Sequence, residues 1–420
     1  MGIGPSSKET TLHHFRDPLV EIVSNDKDVD LLGIIVAGTP EVIYDKEFIS
    51  KRIADIAEGM RADGAIVSID SWGNSHVDFT TAIEEISKKN ITTVGMSFVG
   101  NQASFVVTNK YMDTIIDFNK TEKGIETCVV GENNVVELDA IKALAVLKTK
   151  MNKKKVKKNN TDTIFGSEDI ETKVRSLIIK EFKVEEVKFS DRTKIENNTL
   201  FIRREIVNDF KKLDPLIKDV NLNIIYPDNH NMFINSIMDI SPIATKVTGR
   251  VGEGITHVLS GSRVMLTGVE EGGFQPSNIG SSEGILREQI KLGRRGTPSE
   301  DDIIIHIDVE LKNGEGRTKE GISSAHSISD KIIQEIRQYL KSIDSSVCSR
   351  TKEYFDIVRP NKKKVVIVKL VSGLGCMYDT GILPYEPGGY VGCKSIIDLG
   401  NMPLVLSANK YRDGVIRNKS

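Results

Sequence analysis

Apolar runs and amphipathic stretches alternate along the first third of the chain. Residues 31–37 form an apolar run closed by Gly38-Thr39-Pro40. Residues 46–60 place Phe48, Ile49, Ile53, Ile56 and Ala57 on one helical face. A second apolar run, 64–69, ends at Asp70. A helical pattern follows over 77–89, then a third run over 91–99 and an amphipathic helix over 137–151. Continuous apolar strands separated by helices predict a parallel sheet covered on both faces. Right-handed crossovers line the strand C-termini along one edge, where ligands of open α/β sheets bind. Three loops belong to that edge: 38–40, 70–76 and 100–102.

The pattern then changes. Residues 152–166 are polar and basic without periodicity, and read as a linker. Beyond it, strands are expected over 177–189 and 199–203, joined through Glu196-Asn197-Asn198. Further strands are expected over 221–226, 255–259, 263–267, 303–311 and 364–371, with a long helix over 321–342. A Gly- and Pro-rich stretch, 373–393, follows the last of these. The predicted fold class is therefore α/β: a parallel-sheet N-terminal domain (1–151), a basic linker (152–166) and a mixed α+β C-terminal domain (167–420).

Composition narrows the function. Among 420 residues, 57 Lys and Arg face 59 Asp and Glu. So balanced a charge gives no bulk attraction to nucleic acid or an anionic membrane, and the local run Lys153-Lys154-Lys155-Val156-Lys157-Lys158 reads as a solvated linker. Four scattered cysteines, Cys128, Cys348, Cys376 and Cys393, form no Cys-x-x-Cys motif and no disulfide framework. With no signal-like N-terminus and no bilayer-spanning apolar run, the expected location is cytoplasmic. The sequence leaves oligomeric state open; self-association fits it as well as a monomer does.

Walker A, zincin and nucleophile-elbow motifs are absent. Seven histidines without metal-ligand spacing argue against a metal site. Asp70, Trp72, Asn74 and His76 cluster in one loop beyond a strand and could line a substrate pocket. The plainer alternative makes Asp70 and Asn74 helix caps and Trp72 a core residue.

Longer strings carry a family resemblance. Gly4-Pro5-Ser6-Ser7-Lys8-Glu9-Thr10-Thr11-Leu12-His13-His14-Phe15-Arg16-Asp17-Pro18 resembles the start of the pyruvoyl-bearing fragment of the D-proline reductase proprotein family. Met60-Arg61-Ala62-Asp63-Gly64-Ala65, Trp72-Gly73-Asn74-Ser75-His76-Val77-Asp78 and Gly131-Glu132-Asn133-Asn134 continue the match. Residues 174–413 resemble the family's other fragment, through Thr256-His257-Val258-Leu259-Ser260-Gly261 and Ile396-Ile397-Asp398-Leu399-Gly400-Asn401-Met402-Pro403. Glycine reductase is a more distant resemblance.

The resemblance implies a swapped order. In the family the block like 174–413 comes first, and a cleaved Thr-Cys junction separates it from the block like 1–150. Here that junction corresponds to the two ends of the sequence, so Met1 and Ser420 are expected to lie close together. No counterpart of the precursor cysteine is found, so no pyruvoyl cofactor is expected in this chain. A pyruvoyl group needs a Ser, Thr or Cys nucleophile to attack the preceding carbonyl, and Met does not supply one. The dipeptide Thr127-Cys128 is the one internal alternative, and it falls inside the first block.

The resemblance thus implies an accessory subunit or paralogue of the complex that cleaves D-proline reductively to 5-aminovalerate. Its partners would be the other reductase subunits, a selenoprotein among them. Two other readings remain: a catalytically competent dithiol-dependent subunit, and an amino-acid-binding protein. The residues implicated are Asp70, Trp72, Asn74 and His76 in the loop, and His13, His14 and Arg16 near the junction. Arg16 suits bidentate pairing with a carboxylate, against the alternative that Arg16 and Asp17 form a surface ion pair or cap a helix. Cys376 and Cys393 are redox candidates.

Overall fold

A computed structural model describes residues 9–71, 73–101, 104–125, 127–156, 170–209, 214–276, 282–371 and 400–413. The expected parallel sheet is present and mixed with β-rich structure, as an α/β chain requires. Strands β1 (Val29–Gly38), β2 (Gly64–Ile69), β3 (Thr92–Ser97) and β4 (Ile115–Asp117) share one sheet. Helices α3 (Ile43–Gly59) and α4 (Ser75–Lys88) connect them.

This sheet does not close with the first block's strands alone. Strand Lys363–Val371 lies between β1 and β2, parallel to both, with Val29 opposite Lys363 and Val365 opposite Gly64. Strand Leu404–Leu406 adds antiparallel to the outer edge of β1. Side-chain alternation divides the faces. Ile35, Ala37, Val366, Val368 and Leu370 pack under α3 and α4. Ile34, Val36, Val365 and Ile367 pack against α2 (Pro18–Asn25) and α5 (Glu137–Val156). By the same parity Lys369 points to the α2 and α5 side.

One sequence expectation is corrected here. The basic stretch does not begin a linker at residue 152, because α5 continues to Val156. Its lysines hold the helix on the sheet edge: Lys150 Nζ donates to Thr93 O at 2.6 Å, and Lys154 Nζ to Asn90 O at 2.7 Å. Long lysine stems bridge to loop carbonyls in a way that hydrophobic periodicity does not register. The 177–189 strand is likewise two strands, Thr172–Lys183 and Glu186–Ser190.

The remaining β structure forms two four-stranded sheets, a three-stranded sheet and a two-stranded pair. Helix Lys319–Ser342 packs into their largest core through Ile322, Ile332, Ile333, Ile336 and Leu340. Its first turn is capped by Thr318, whose hydroxyl accepts from Gly321 N at 2.9 Å. Among the described residues, no helix is long and apolar enough to cross a membrane.

Two short helices missed by periodicity join the blocks. The first, α1 (Thr11–Phe15), is too short to show a helical pattern, and Leu12 inserts it into a core with Ile237, Ile240 and Met265. Thr11 anchors it, since its N and Oγ1 donate to Asp239 at 3.0 and 2.6 Å. Helix α2 starts on Asp17, which accepts from Leu19 N at 2.7 Å, with Pro18 in its first turn.

The central position of strand Lys363–Val371 gives a direct test. Residues 1–156 expressed alone lack the middle of their sheet and should show no cooperative thermal transition by circular dichroism. A two-state transition from that fragment would contradict the shared sheet.

Candidate functional site

Lys369 interrupts the apolar run 365–371 of strand Lys363–Val371, and it is 1% exposed. Its Nζ lies 3.0 Å from both carboxylate oxygens of Glu9 and 2.9 Å from Asp17 Oδ2. Glu9 also faces two histidines, His13 Nε2 at 3.3 Å and His14 Nδ1 at 3.7 Å. His14 Nδ1 lies 3.0 Å from the Tyr411 hydroxyl, and His13 Nδ1 lies 3.2 Å from Asn134 Nδ2. All six ionisable groups, Lys369, Glu9, Asp17, His13, His14 and Tyr411, are buried.

Charge pairing overrides burial in this cluster. Burial alone would raise the Glu9 carboxyl, but Lys369, His13 and His14 hold it well below the usual carboxylate range. Burial would lower Lys369, yet Asp17 and Glu9 hold it well above the usual amine value. Burial keeps the Tyr411 phenol protonated, well above its ordinary value. Two groups here have metal-ligand proximity, Glu9-His13-Asp17 and Glu9-His14-Asp70, with ligand atoms within 4.8 Å. The Lys369 ammonium pairs with both carboxylates of the first group, Glu9 and Asp17, and so links them in one ion network.

His14 and Tyr411 also form part of the wall of a cavity of about 400 Å³ where the two blocks meet. Helices α1 and α2 supply one side through Leu12, Phe15, Arg16, Asp17 and Val20. The β structure opposite supplies Ile179, Val258, Arg263 and Tyr354, and the short helix Ala408–Arg412 with Asp413 closes the end. Loop 293–299 approaches α1 at Gly296, where a Cβ would meet His13 Cβ at 2.8 Å and Thr10 Oγ1 at 2.8 Å. Only glycine permits that approach.

The carboxylates of this wall are engaged. Asp17 binds Lys369, and Glu21 lies 3.2 Å from Arg295, which also holds Glu137. Glu181 lies 2.6 Å from Lys352, and Asp413 2.6 Å from Lys246. Arg263 donates to Leu259 O at 3.1 Å and Ser262 O at 2.6 Å. Arg412 donates to Ser24 Oγ at 2.8 Å and lies over the Tyr354 ring.

The residues singled out in the sequence separate. His13 and His14 enter the buried network, and His14 and Arg16 reach the cavity. Asp70 is buried at the end of β2, beside Glu9 and His14. Asn74 is exposed at the start of α4 and makes no side-chain cap. His76 belongs to a separate pocket: its Nε2 lies 3.0 Å from Ser97 Oγ and its ring 4.7 Å from that of Phe105. Trp72, Cys376 and Cys393 lie outside the described residues, as do Met1 and Ser420. Of the two plainer alternatives for Arg16 and Asp17, capping is the one found: Asp17 turns inward to cap α2 and bind Lys369, and no ion pair with Arg16 forms. Thr127 and Cys128 do not line the cavity. Sequence reading missed Glu9, Lys369 and Tyr411. The Lys369 charge inside the apolar run 365–371 was the available signal.

Two predictions follow from these environments. Replacing Lys369 by Met leaves Glu9 and Asp17 buried without their cation, and should cost about 3–5 kcal/mol in urea unfolding; a loss below about 1 kcal/mol would contradict the network. His76 is pushed down to about 4 by burial, so its ring is neutral at pH 7. Its stabilising contribution is complete above its ordinary value of 6.5 and is lost as pH falls towards 4. Neighbouring Asp78, raised to about 7 by burial against the pull of Lys46, has the opposite sign and loses its contribution as pH rises through 7. Ring-proton NMR separates the two: His76 should show no titration above pH 5, and a midpoint near 6.5 would refute the assignment.

The family described as glycine/sarcosine/betaine reductase component B subunits matches residues 2–152 and 175–282, more than half of the chain. The D-proline reductase proprotein of Acetoanaerobium sticklandii is 45% identical over 244 residues, covering 58% of this chain and 39% of that protein. The glycine reductase complex component B subunits alpha and beta of the same organism are 26% identical over 251 residues, 56% of this chain and 53% of theirs. The sarcosine reductase complex component B subunit alpha of Peptoclostridium acidaminophilum is 23% identical over 137 residues, 32% of this chain and 30% of that protein. The chain thus spans about a third to a half of the length of these relatives. No solved structure matches.

Proposed function

Because the chain belongs to the family of glycine, sarcosine and betaine reductase component B subunits, we propose that it is an accessory component of a D-proline reductase-type complex. It binds its ligand in the cavity between the blocks and carries no pyruvoyl group of its own. The observation that supports this reading is the make-up of the cavity. One wall comes from the segment resembling the start of the pyruvoyl-bearing fragment, at His14 and Arg16. The end wall comes from the close of the other block, at Tyr411, Arg412 and Asp413. Substrate recognition by the family's shared architecture would use both. The relatives named as complex components favour partner subunits, and a selenoprotein partner belongs to this proposal.

The described cysteines, Cys128 and Cys348, are not among the residues lining the cavity. A second reading, a working reductase subunit that takes electrons from a thiol or selenol partner, draws support from one feature. The Tyr411 hydroxyl and His14 stand together on the cavity wall and provide a protonated donor beside a ring nitrogen.

Intact-mass measurement after treatment with a carbonyl-reactive hydrazide decides between them. The accessory reading expects one full-length, unlabelled chain and no turnover of D-proline with dithiothreitol. Two fragments, one of them labelled at its new N-terminus, would overturn it, as would turnover by the isolated protein. Co-purification with the other reductase subunits is the expected result in either case, and its failure would leave neither.

A further inference from the structure

The charges on the cavity wall do not balance. Its carboxylates are each held by a lysine or arginine. Arg16, Arg294 and Arg412 have no carboxylate within ion-pair distance among the described residues. Arg16 is the extreme case. Its backbone N donates to His13 O at 3.0 Å, while its guanidinium has no hydrogen-bond partner among them. Around it stand further cations, Arg263 and Arg295, with Asp302 and Glu181 as the opposing charges; burial and these arginines pull its ionisation down to about 9. A guanidinium remains charged in proteins, so this depression measures how poorly the site accommodates the charge. The neighbouring carboxylate that would relieve it, Asp17, is committed to Lys369 and Leu19 N.

A partly desolvated cation without a counter-charge destabilises the protein that holds it. Such a group is retained where a ligand supplies the missing partner. A guanidinium offers a planar fork that matches a carboxylate. The cavity, about 400 Å³, places that fork beside the apolar surfaces of Leu12, Phe15 and Val20. Room of this size next to an apolar wall suits a small organic acid with a hydrocarbon body better than a bare inorganic anion.

We propose that Arg16 is the carboxylate receptor of this cavity and that its occupant is a small organic acid of amino-acid size. The proposal rests on the cavity being the ligand site and adds which atoms recognise the ligand.

Calorimetric titration of the full chain with D-proline, D-prolinamide and inorganic phosphate tests it. D-Proline should bind at least about 10-fold more tightly than the amide or phosphate, and Arg16→Met should weaken D-proline binding by roughly 10–100-fold. The ligand-free Arg16→Met protein should melt at the same temperature or roughly 1–3 °C higher, because an uncompensated charge has been removed. An arginine with a merely structural role would instead lower the melting temperature. Val20→Phe, which fills the cavity, separates the two levels of the argument. Equal binding of D-proline and D-prolinamide, both lost in Val20→Phe, would overturn the role of Arg16 and leave the cavity as the ligand site. Equal binding that survives Val20→Phe would overturn both, and so would no binding of any probe. Phosphate binding as tight as D-proline would overturn the assignment to an organic acid.

Discussion

The ammonium of Lys369 between Glu9 and Asp17 is the interaction on which the remainder of the molecule depends. Strand Lys363–Val371 comes from the second block, and Glu9 and Asp17 from the first. The ion network therefore fixes α1 and α2 on one face of a sheet whose middle strand comes from far along the sequence. A buried ion pair adds little net stability over a hydrophobic alternative, but breaking one side of it is costly. Its value here is positional. Apolar side chains would hold α1 at many similar registers, whereas one ammonium shared between two carboxylates accepts few.

That positioning produces the cavity and its charge. Asp17 is adjacent to Arg16 in sequence and would be its natural partner on an exposed surface. Lys369 and the N-terminus of α2 draw Asp17 inward, so that Arg16 faces the cavity without it. The same network reaches the wall through His14 and Tyr411, whose hydrogen bond connects the buried carboxylates to the space where a ligand would stand. Ligand recognition and the joining of the two blocks thus share one set of side chains. Inward diversion of one carboxylate leaves a cation available to a ligand.

Family membership and this geometry support each other at different levels. The matched family spans both blocks, and both blocks contribute to the cavity. The proprotein that is 45% identical covers only part of its own length with this chain. Relatives are named as components of reductase complexes. The His76 pocket is separate from this arrangement: a neutral histidine packed on Phe105 and Phe79 belongs to the core beneath the sheet edge.

Sequence alone determined strands β1 to β3 and helices α3, α4 and α5 of the first block, the long helix and most later strands, because burial on one face leaves a period of two or 3.6 residues. It also carried the family, through long strings rather than single motifs. It marked His13, His14 and Arg16, which meet at or beside the cavity. Only the tertiary structure decided that strand Lys363–Val371 inserts between β1 and β2. Pairing partners of a parallel strand leave no mark in its own pattern. Nor did local pattern distinguish Asp70, which joins the Glu9 cluster, from Asn74, which faces solvent. The partners of Lys369 lie some 350 residues away in sequence, and long-range charge pairing has no periodicity to read. The cavity exists only once those distant residues are brought together.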